Sequence, residues 1–257
     1  MKKNLLSIAG YDPSGGAGVI LDIGVFEHLG FQGAGILTAV TAQNTRFVSG
    51  VYCLPPAFLF KQFQTLAADL EISGIKVGML GSGKALTALD KILRASAGLP
   101  IVVDPVFVSS SGRWLIEKSS IRGYLRAIRS KASLITPNLD EAAQICGFRP
   151  ENLSGMKEAA RRIYVITGIP CLVKGGHLKK SAADLLFDGK GFETFKHRKL
   201  SKKVHGTGCF LSSSILAYLA KHLSLGEACF QATELTHQAI RNAIRPGKGR
   251  HVISLPI

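Results

Sequence analysis

The residues of this chain best suited to chemistry gather at His205-Gly206-Thr207-Gly208-Cys209, which runs straight into the apolar stretch Phe210 to Leu219. A glycine loop opening a helix aims unbonded backbone N–H groups and the positive end of the helix dipole at one point, a ready seat for a phosphoryl group. The same field favours a thiolate at Cys209. One short segment could therefore hold a transferring phosphate on Gly206, Thr207 and Gly208 and supply a base for an attacking hydroxyl. The competing reading is a glycine-rich turn with a buried structural cysteine.

Lys174, in Val173-Lys174-Gly175-Gly176-His177, ends a β-like run, from which its ammonium could reach phosphate oxygens as a point charge; a solvated turn lysine is the plainer alternative. Asp104 in Val103-Asp104-Pro105 and Glu141 in Asn138-Leu139-Asp140-Glu141 stand at strand ends, where α/β enzymes keep their sites. Mg²⁺ takes one or two carboxylates together with water and phosphate oxygens, so this sparse pair suits a Mg²⁺-nucleotide better than a dedicated cage. Asp140 reads as charge compensation at a helix start. Two other glycine loops fail as nucleotide motifs. Gly16-Ala17-Gly18 lacks the third glycine of a dinucleotide fingerprint, because Leu21 occupies its place, and Gly78 to Lys84 matches a P-loop but continues into Ala85, which has no hydroxyl for Mg²⁺.

Positioning these residues requires strands that end together. Short apolar runs recur at Leu5 to Ala9, Gly35 to Val40, Ile75 to Gly78, Ile101 to Asp104, Leu134 to Pro137 and Cys171 to Lys174, and helical patterns separate them. The helices fall at Ala17 to Leu29, Pro56 to Leu70, Ala85 to Ala97, Ile121 to Ser130, Gly155 to Thr167, Gly208 to His222 and Gly226 to Ile244. In the first of them Val19, Ile23, Phe26 and Leu29 share the face that packs on the sheet. Ala183 to Phe187 and Phe192 to Phe195, split by Asp188-Gly189-Lys190-Gly191, read as a late antiparallel hairpin. The alternation predicts an α/β fold with a mostly parallel central sheet, and no composition break divides residues 1–257 into more than one domain.

The chain has 257 residues, 46% hydrophobic and 19% charged, which excludes a disordered or collagen-like chain. Thirty-two lysines and arginines against 17 acids leave +15, a balance that favours anionic partners. The five cysteines include no CxxC pair, so neither a disulfide framework nor a clustered zinc site is expected, and a reducing cytoplasm is the natural compartment. No run approaches the roughly 18 apolar residues of a membrane span. The basic run from Lys196 to Lys203 raises nucleic-acid binding as a rival, but aromatics are only 7% and no nucleic-acid-binding motif is present.

Together these stretches resemble the ribokinase-like superfamily, and within it the hydroxymethylpyrimidine and phosphomethylpyrimidine kinases. The resemblance rests on Ile8 to Gly18 with its DPSGGAG, Ala42-Gln43-Asn44-Thr45, Lys76 to Leu80, Val103 to Val106, Thr136-Pro137-Asn138, Val173 to His177 and His205 to Cys209. It implies a three-layer α/β/α sandwich and ATP-dependent phosphorylation of the hydroxymethyl group of 4-amino-5-hydroxymethyl-2-methylpyrimidine in thiamine biosynthesis, often followed by phosphorylation of the monophosphate. It also implies a homodimer. Gln43, Gly10, Asp22, Met79 and Val106 resemble the family's pyrimidine pocket, and the Gln43 amide suits an edge where an amine adjoins a ring nitrogen. Gly206 to Cys209 resembles its anion hole, Lys174 its phosphate contact, and Asn138 with Glu141 its Mg²⁺-nucleotide region.

The chain departs from the family pattern at Phe107 and Ser110, where methionine and lysine are common, at Ile20 and Gly24, and in the tail Gly247-Lys248-Gly249-Arg250-His251. Losing a lysine near the pocket weakens the expected capture of a substrate that already carries phosphate. Pyridoxal kinase activity is the nearest alternative, and a catalytically silent pyrimidine sensor is a third.

Overall fold

The computed structural model describes residues 2–109, 112–176, 182–197, 200 and 202–255. His177, the departures at Ser110 and Ser111, and Arg198, Lys199 and Ser201 of the basic run lie outside these. A nine-stranded sheet is built from β1 (Asn4–Tyr11), β2 (Gln32–Gln43), β3 (Val48–Cys53), β4 (Ile72–Val77), β5 (Ile101–Val103), β6 (Leu134–Ile135), β7 (Cys171–Val173), β8 (Ala182–Phe187) and β9 (Phe192–His197). Its strand order is β3-β2-β1-β4-β5-β6-β7-β8-β9. From β2 to β7 all neighbours are parallel, whereas β3, β8 and β9 pair antiparallel at the two margins.

Helices cover both faces, which gives the three layers. In chain order they are α1 (Gly18–His28), α2 (Pro56–Ala67), α3 (Leu86–Ala95), α4 (Ile121–Ile128), α5 (Leu139–Cys146), α6 (Leu153–Thr167), α7 (Thr207–Ala220) and α8 (Leu225–Arg241). Side chains alternate across a strand, so the central strands are apolar on both sides. Leu6, Ile8, Ile75, Val103 and Val173 pack with Leu59, Leu89, Ile128 and Ile163 of α2, α3, α4 and α6. Their neighbours Leu5, Val102 and Leu172 pack on the opposite face with Ile215 of α7 and Ala228 of α8.

The expected strands and hairpin are present, most of them longer or shorter by a few residues. Four elements were not among those given bounds from the sequence. β3 has a half-exposed pattern with a glycine inside it, so it carries no apolar run. Eight-residue α5 is short, yet it is fixed by a capping box in which Asn138 accepts from the Glu141 N–H while Glu141 accepts from the Asn138 N–H. The two-residue β10 (Val204–His205) and β11 (His251–Val252) form a separate parallel pair between segments far apart in sequence. α1 also differs from its expected single stripe: Val19 and Phe26 are buried, but so are Leu21 and Val25, which meet Phe210 and Ile253. The helix is therefore clasped between the sheet, α7 and the tail.

Candidate functional site

A cleft of about 1120 Å³ lies at the carboxyl ends of the parallel strands. Gly10 comes from the end of β1, Gln43 from the end of β2, Met79 and Val106 from the loops after β4 and β5, Asn138 and Glu141 from the turn after β6, and Lys174 from just past β7. Residues 205–209 enter from β10 and the start of α7. Of the residues singled out in the sequence, Cys209, Gly206, Thr207, Gly208, Lys174, Gln43, Gly10, Met79, Val106, Asn138, Asp104 and Glu141 all line it.

Asp22 does not, and the expectation that it lines the pocket is corrected. It is fully buried beneath the cleft, where its carboxylate takes Lys76 Nζ at 2.8 and 2.9 Å, Ser7 Oγ at 2.6 Å and Ser213 Oγ at 2.8 Å. The cause is strand alternation: Ser7 and Lys76 both point to the α1/α7 side, and a buried charge needs its partner there. Burial alone would lower the Lys76 pKa, but Asp22 outweighs it and holds the ammonium charged.

Gly206 begins α7 in the left-handed region at φ 83°, and a Cβ there would stand 1.9 Å from the Gly16 carbonyl oxygen. No side chain caps this helix, so its first-turn N–H groups face the cleft. Beside them Lys174 Nζ meets Asp104 Oδ1 at 2.7 Å. A Cβ at Gly208 would come 3.1 Å from Lys174 Nζ, so the missing side chain keeps the helix end and the lysine open to one another.

Charge around this point is not evenly balanced. Burial would lower the Lys174 pKa, but Asp104 and Glu141 raise it. Glu141 is pushed up to about 8, first by burial, against the pull of Lys174 and with a further push from Asp104. One lysine thus serves two carboxyls, and burial favours the neutral form of the second. Asn138 contributes less than expected to any ligand, because its side-chain oxygen already accepts from the Asp140 and Glu141 N–H groups. Asp140 pairs with Arg149 outside.

Cys209 departs from the thiolate expectation. Burial pushes its thiol up to about 11, although Lys76 and a hydrogen bond from the Gly18 N–H pull the other way. Desolvation outweighs the pull of Lys76 and Gly18, so the thiol is protonated at neutral pH.

At the opposite wall Gln43 Nε2 lies 3.0 Å from His205 Nε2, which is 2.9 Å from Asp12 Oδ2. Asp12 in turn accepts from the Ser14 N–H and hydroxyl at 2.9 and 2.7 Å. Burial would raise the Asp12 pKa; the bonds from His205 and Ser14 hold it below the ordinary carboxylate value. Both contacts fall on one ring nitrogen, which donates to Asp12 and so offers the Gln43 amide N–H no acceptor; this juxtaposition of Asp12, His205 and Gln43 was not foreseen, since its members lie in three separate motifs. The only sequence signal was that each is a polar residue inside an otherwise glycine-rich or apolar stretch.

Of the P-loop-like segment only Met79 lines the cleft. Its Gly83 N–H donates to Glu117 Oε2 at 2.8 Å, which leaves a carboxylate where a phosphate would have to sit. Among the described residues no three His, Cys, Asp or Glu converge on a metal position, and no helix is long and apolar enough to cross a membrane.

The sequence model of the phosphomethylpyrimidine kinase family matches residues 12–254. A hydroxymethylpyrimidine/phosphomethylpyrimidine kinase of Aquifex aeolicus is 38% identical over 250 residues, covering 96% of this chain and 98% of its own. The crystal structure of a phosphomethylpyrimidine kinase from Clostridium difficile superimposes with a TM-score of 0.82 at 33% identity, over 93% of this chain and all of the other. A pyridoxal kinase of Staphylococcus aureus, solved with pyridoxal, gives 0.90 at 30% identity over 99% and 93% of the two chains. The expected ribokinase-like sandwich is borne out by these neighbours.

Proposed function

Because the chain belongs to the phosphomethylpyrimidine kinase family, we infer that it transfers the γ-phosphoryl group of ATP to the hydroxymethyl group of 4-amino-5-hydroxymethyl-2-methylpyrimidine, and then to the resulting monophosphate. The observation that carries this reading is the convergence, in one cleft, of Lys174, the uncapped start of α7 and Cys209, opposite the hydrogen-bonding wall of Gln43 and His205.

The wall binds the heteroaromatic ring: the Gln43 amide meets the aminopyrimidine edge, Met79 and Val106 flank the ring, and Asp12 fixes the His205 imidazole. The ring's hydroxymethyl group then points to Cys209 and the start of α7. Lys174 and the first-turn amides neutralise charge on the transferred phosphoryl oxygens, which is most of what a loose phosphoryl-transfer transition state requires. The Cys209 sulfur accepts a hydrogen bond from the substrate hydroxyl and aims its oxygen. With the thiol neutral, the hydroxyl keeps its proton until the new P–O bond is forming, and the proton leaves late onto a transferred phosphoryl oxygen.

Asp104 and Glu141 suit Mg²⁺ brought in with the nucleotide. Asp104 already pairs with Lys174, and Glu141 beside them is raised by burial, so a divalent cation arriving there would favour the ionised form of both carboxyls. When bound there, Mg²⁺ supplies charge neutralisation of the nucleotide phosphates.

A cytoplasmic homodimer completes the proposal. It is supported by Val40, Phe47 and Tyr52, exposed at 39%, 51% and 70% near the β3 margin of the sheet. Pyridoxal phosphorylation is the second reading, favoured by the likeness to the Staphylococcus aureus enzyme. Assaying the pyrimidine, its monophosphate and pyridoxal side by side tests both. Turnover of the two pyrimidines well above that of pyridoxal is expected, and the reverse order overturns the assignment.

A further inference from the structure

Outside the cleft, next to the Gln43–His205 wall, lies a second cavity of about 580 Å³. Its charged lining is Arg46, Lys202, Lys203, Arg245, Lys248 and Arg250, and no acid stands among the described residues that line it. The cations come from three segments, around residue 46, at 202–203 and at 245–250, and backbone bonds hold them together. The Arg250 N–H donates to the Thr45 carbonyl oxygen at 2.9 Å and the Gly249 N–H to Thr45 Oγ1 at 3.1 Å. The His251 N–H reaches the Lys203 carbonyl oxygen at 3.3 Å. A Cβ on Gly249 would stand 2.1 Å from the Thr45 oxygen, so only glycine allows this approach. Arg245 is fixed as well, donating to the carbonyl oxygens of Gly249 and Lys248 at 3.1 Å each. Assembling like charges this closely costs energy in the empty protein, and an anion would relieve it.

Lys202, Lys203 and Arg250 line both this cavity and the cleft, so the two adjoin. They join at the pyrimidine wall: Thr45 follows Gln43 by two residues, and Lys203 precedes His205 by two. Of the pyrimidines handled here, the alcohol is neutral and the monophosphate carries roughly −1.5 to −2 at pH 7, by analogy with phosphorylated side chains.

Resting on the kinase reading above, we propose that this basic cavity captures the phosphomonoester group of the phosphorylated pyrimidine on its way into the cleft and so favours it over the neutral alcohol.

The test uses the full chain with Arg46→Gln and Lys248→Gln combined, because neither residue lines the cleft. With ATP saturating, kcat/KM is measured for the monophosphate and for the alcohol at low and at high salt. Electrostatic capture predicts a fall of about five- to tenfold for the monophosphate at low salt, less than about twofold for the alcohol, and a difference that shrinks as salt screens it. The charge-restoring pair Arg46→Lys with Lys248→Arg should recover the wild-type ratio. Equal losses on both substrates, a loss insensitive to salt, no loss at all, or a wild type that uses only the alcohol would overturn the capture role while leaving the kinase assignment intact. Failure of the wild type on both pyrimidines would instead overturn the kinase assignment.

Discussion

Two lysine–carboxylate pairs flank Cys209, and what else their charges touch separates structure from chemistry. Lys76 and Asp22 are sealed at 0% exposure each, and the carboxylate's remaining lone pairs are taken by Ser7 on β1 and Ser213 on α7. Every charge there is spoken for, so the pair ties α1, β1, β4 and α7 together and can accept nothing more. Lys174 and Asp104 have the same chemistry at 2.7 Å, but the lysine opens on the cleft and must also serve Glu141. That imbalance leaves the site receptive to a cation and to phosphate. A buried ion pair is thus no sign of function by itself; the sign is a charge count that does not close.

The largest effect should come from breaking the closed pair. Lys76→Met leaves Asp22 charged and alone in the core, at a cost of about 3 to 5 kcal/mol in thermal or denaturant unfolding, and adding Asp22→Leu should recover much of it. Turnover per folded molecule should stay near wild type. A variant as stable as wild type would show that the charges are not needed there.

Breaking the open pair should do the opposite. Lys174→Ala is expected to lower kcat by about 10²- to 10³-fold with only a small change in unfolding midpoint, because water and the nucleotide's own cation reach Asp104. Equal losses of stability in the two variants would erase the contrast.

Cys209 lies between the pairs, and its role can be read from pH. A positioning thiol predicts kcat that stays level from neutral pH toward 10 and falls about 10²-fold in Cys209→Ala. If the thiolate were the base, its fraction, and with it kcat, would rise about tenfold per pH unit below a pKa of about 11. Such a slope would restore the base role.

The smallest effect concerns the far wall. Gln43→Ala leaves edge atoms of the pyrimidine unpaired, at about 1 to 3 kcal/mol, which isothermal titration should read as roughly a five- to hundredfold loss of substrate affinity. ATP affinity should hardly move, and an equal loss for both ligands would sink the pocket assignment.

Much of the catalytic end could be read directly because its signals are local. A glycine loop before an apolar helix, a lysine at a strand end and acids after apolar runs each carry their meaning within a few residues. Asp22 could not be placed that way: its own helix gives only its neighbourhood in sequence, while Lys76 lies 54 residues on and Ser213 another 137 beyond that. The Cys209 thiol could not be placed either, since helix-end polarity is visible in sequence but the desolvation that outweighs it is a property of the packed site.

From sequence alone came most strands and helices in chain order and the mostly parallel sheet, because periodicity and turn residues dictate local structure, while Gly10, Gln43, Met79 and Val106 of the cleft came from the family resemblance. Tertiary structure alone decided which charges are balanced. It buried Asp22 against Lys76, raised the Glu141 pKa by burial beside Lys174, gathered Asp12, His205 and Gln43, and brought Arg46 to Lys248 and Arg250. Electrostatic and solvation energies depend on distance and dielectric in three dimensions, and neither is set by spacing along the chain.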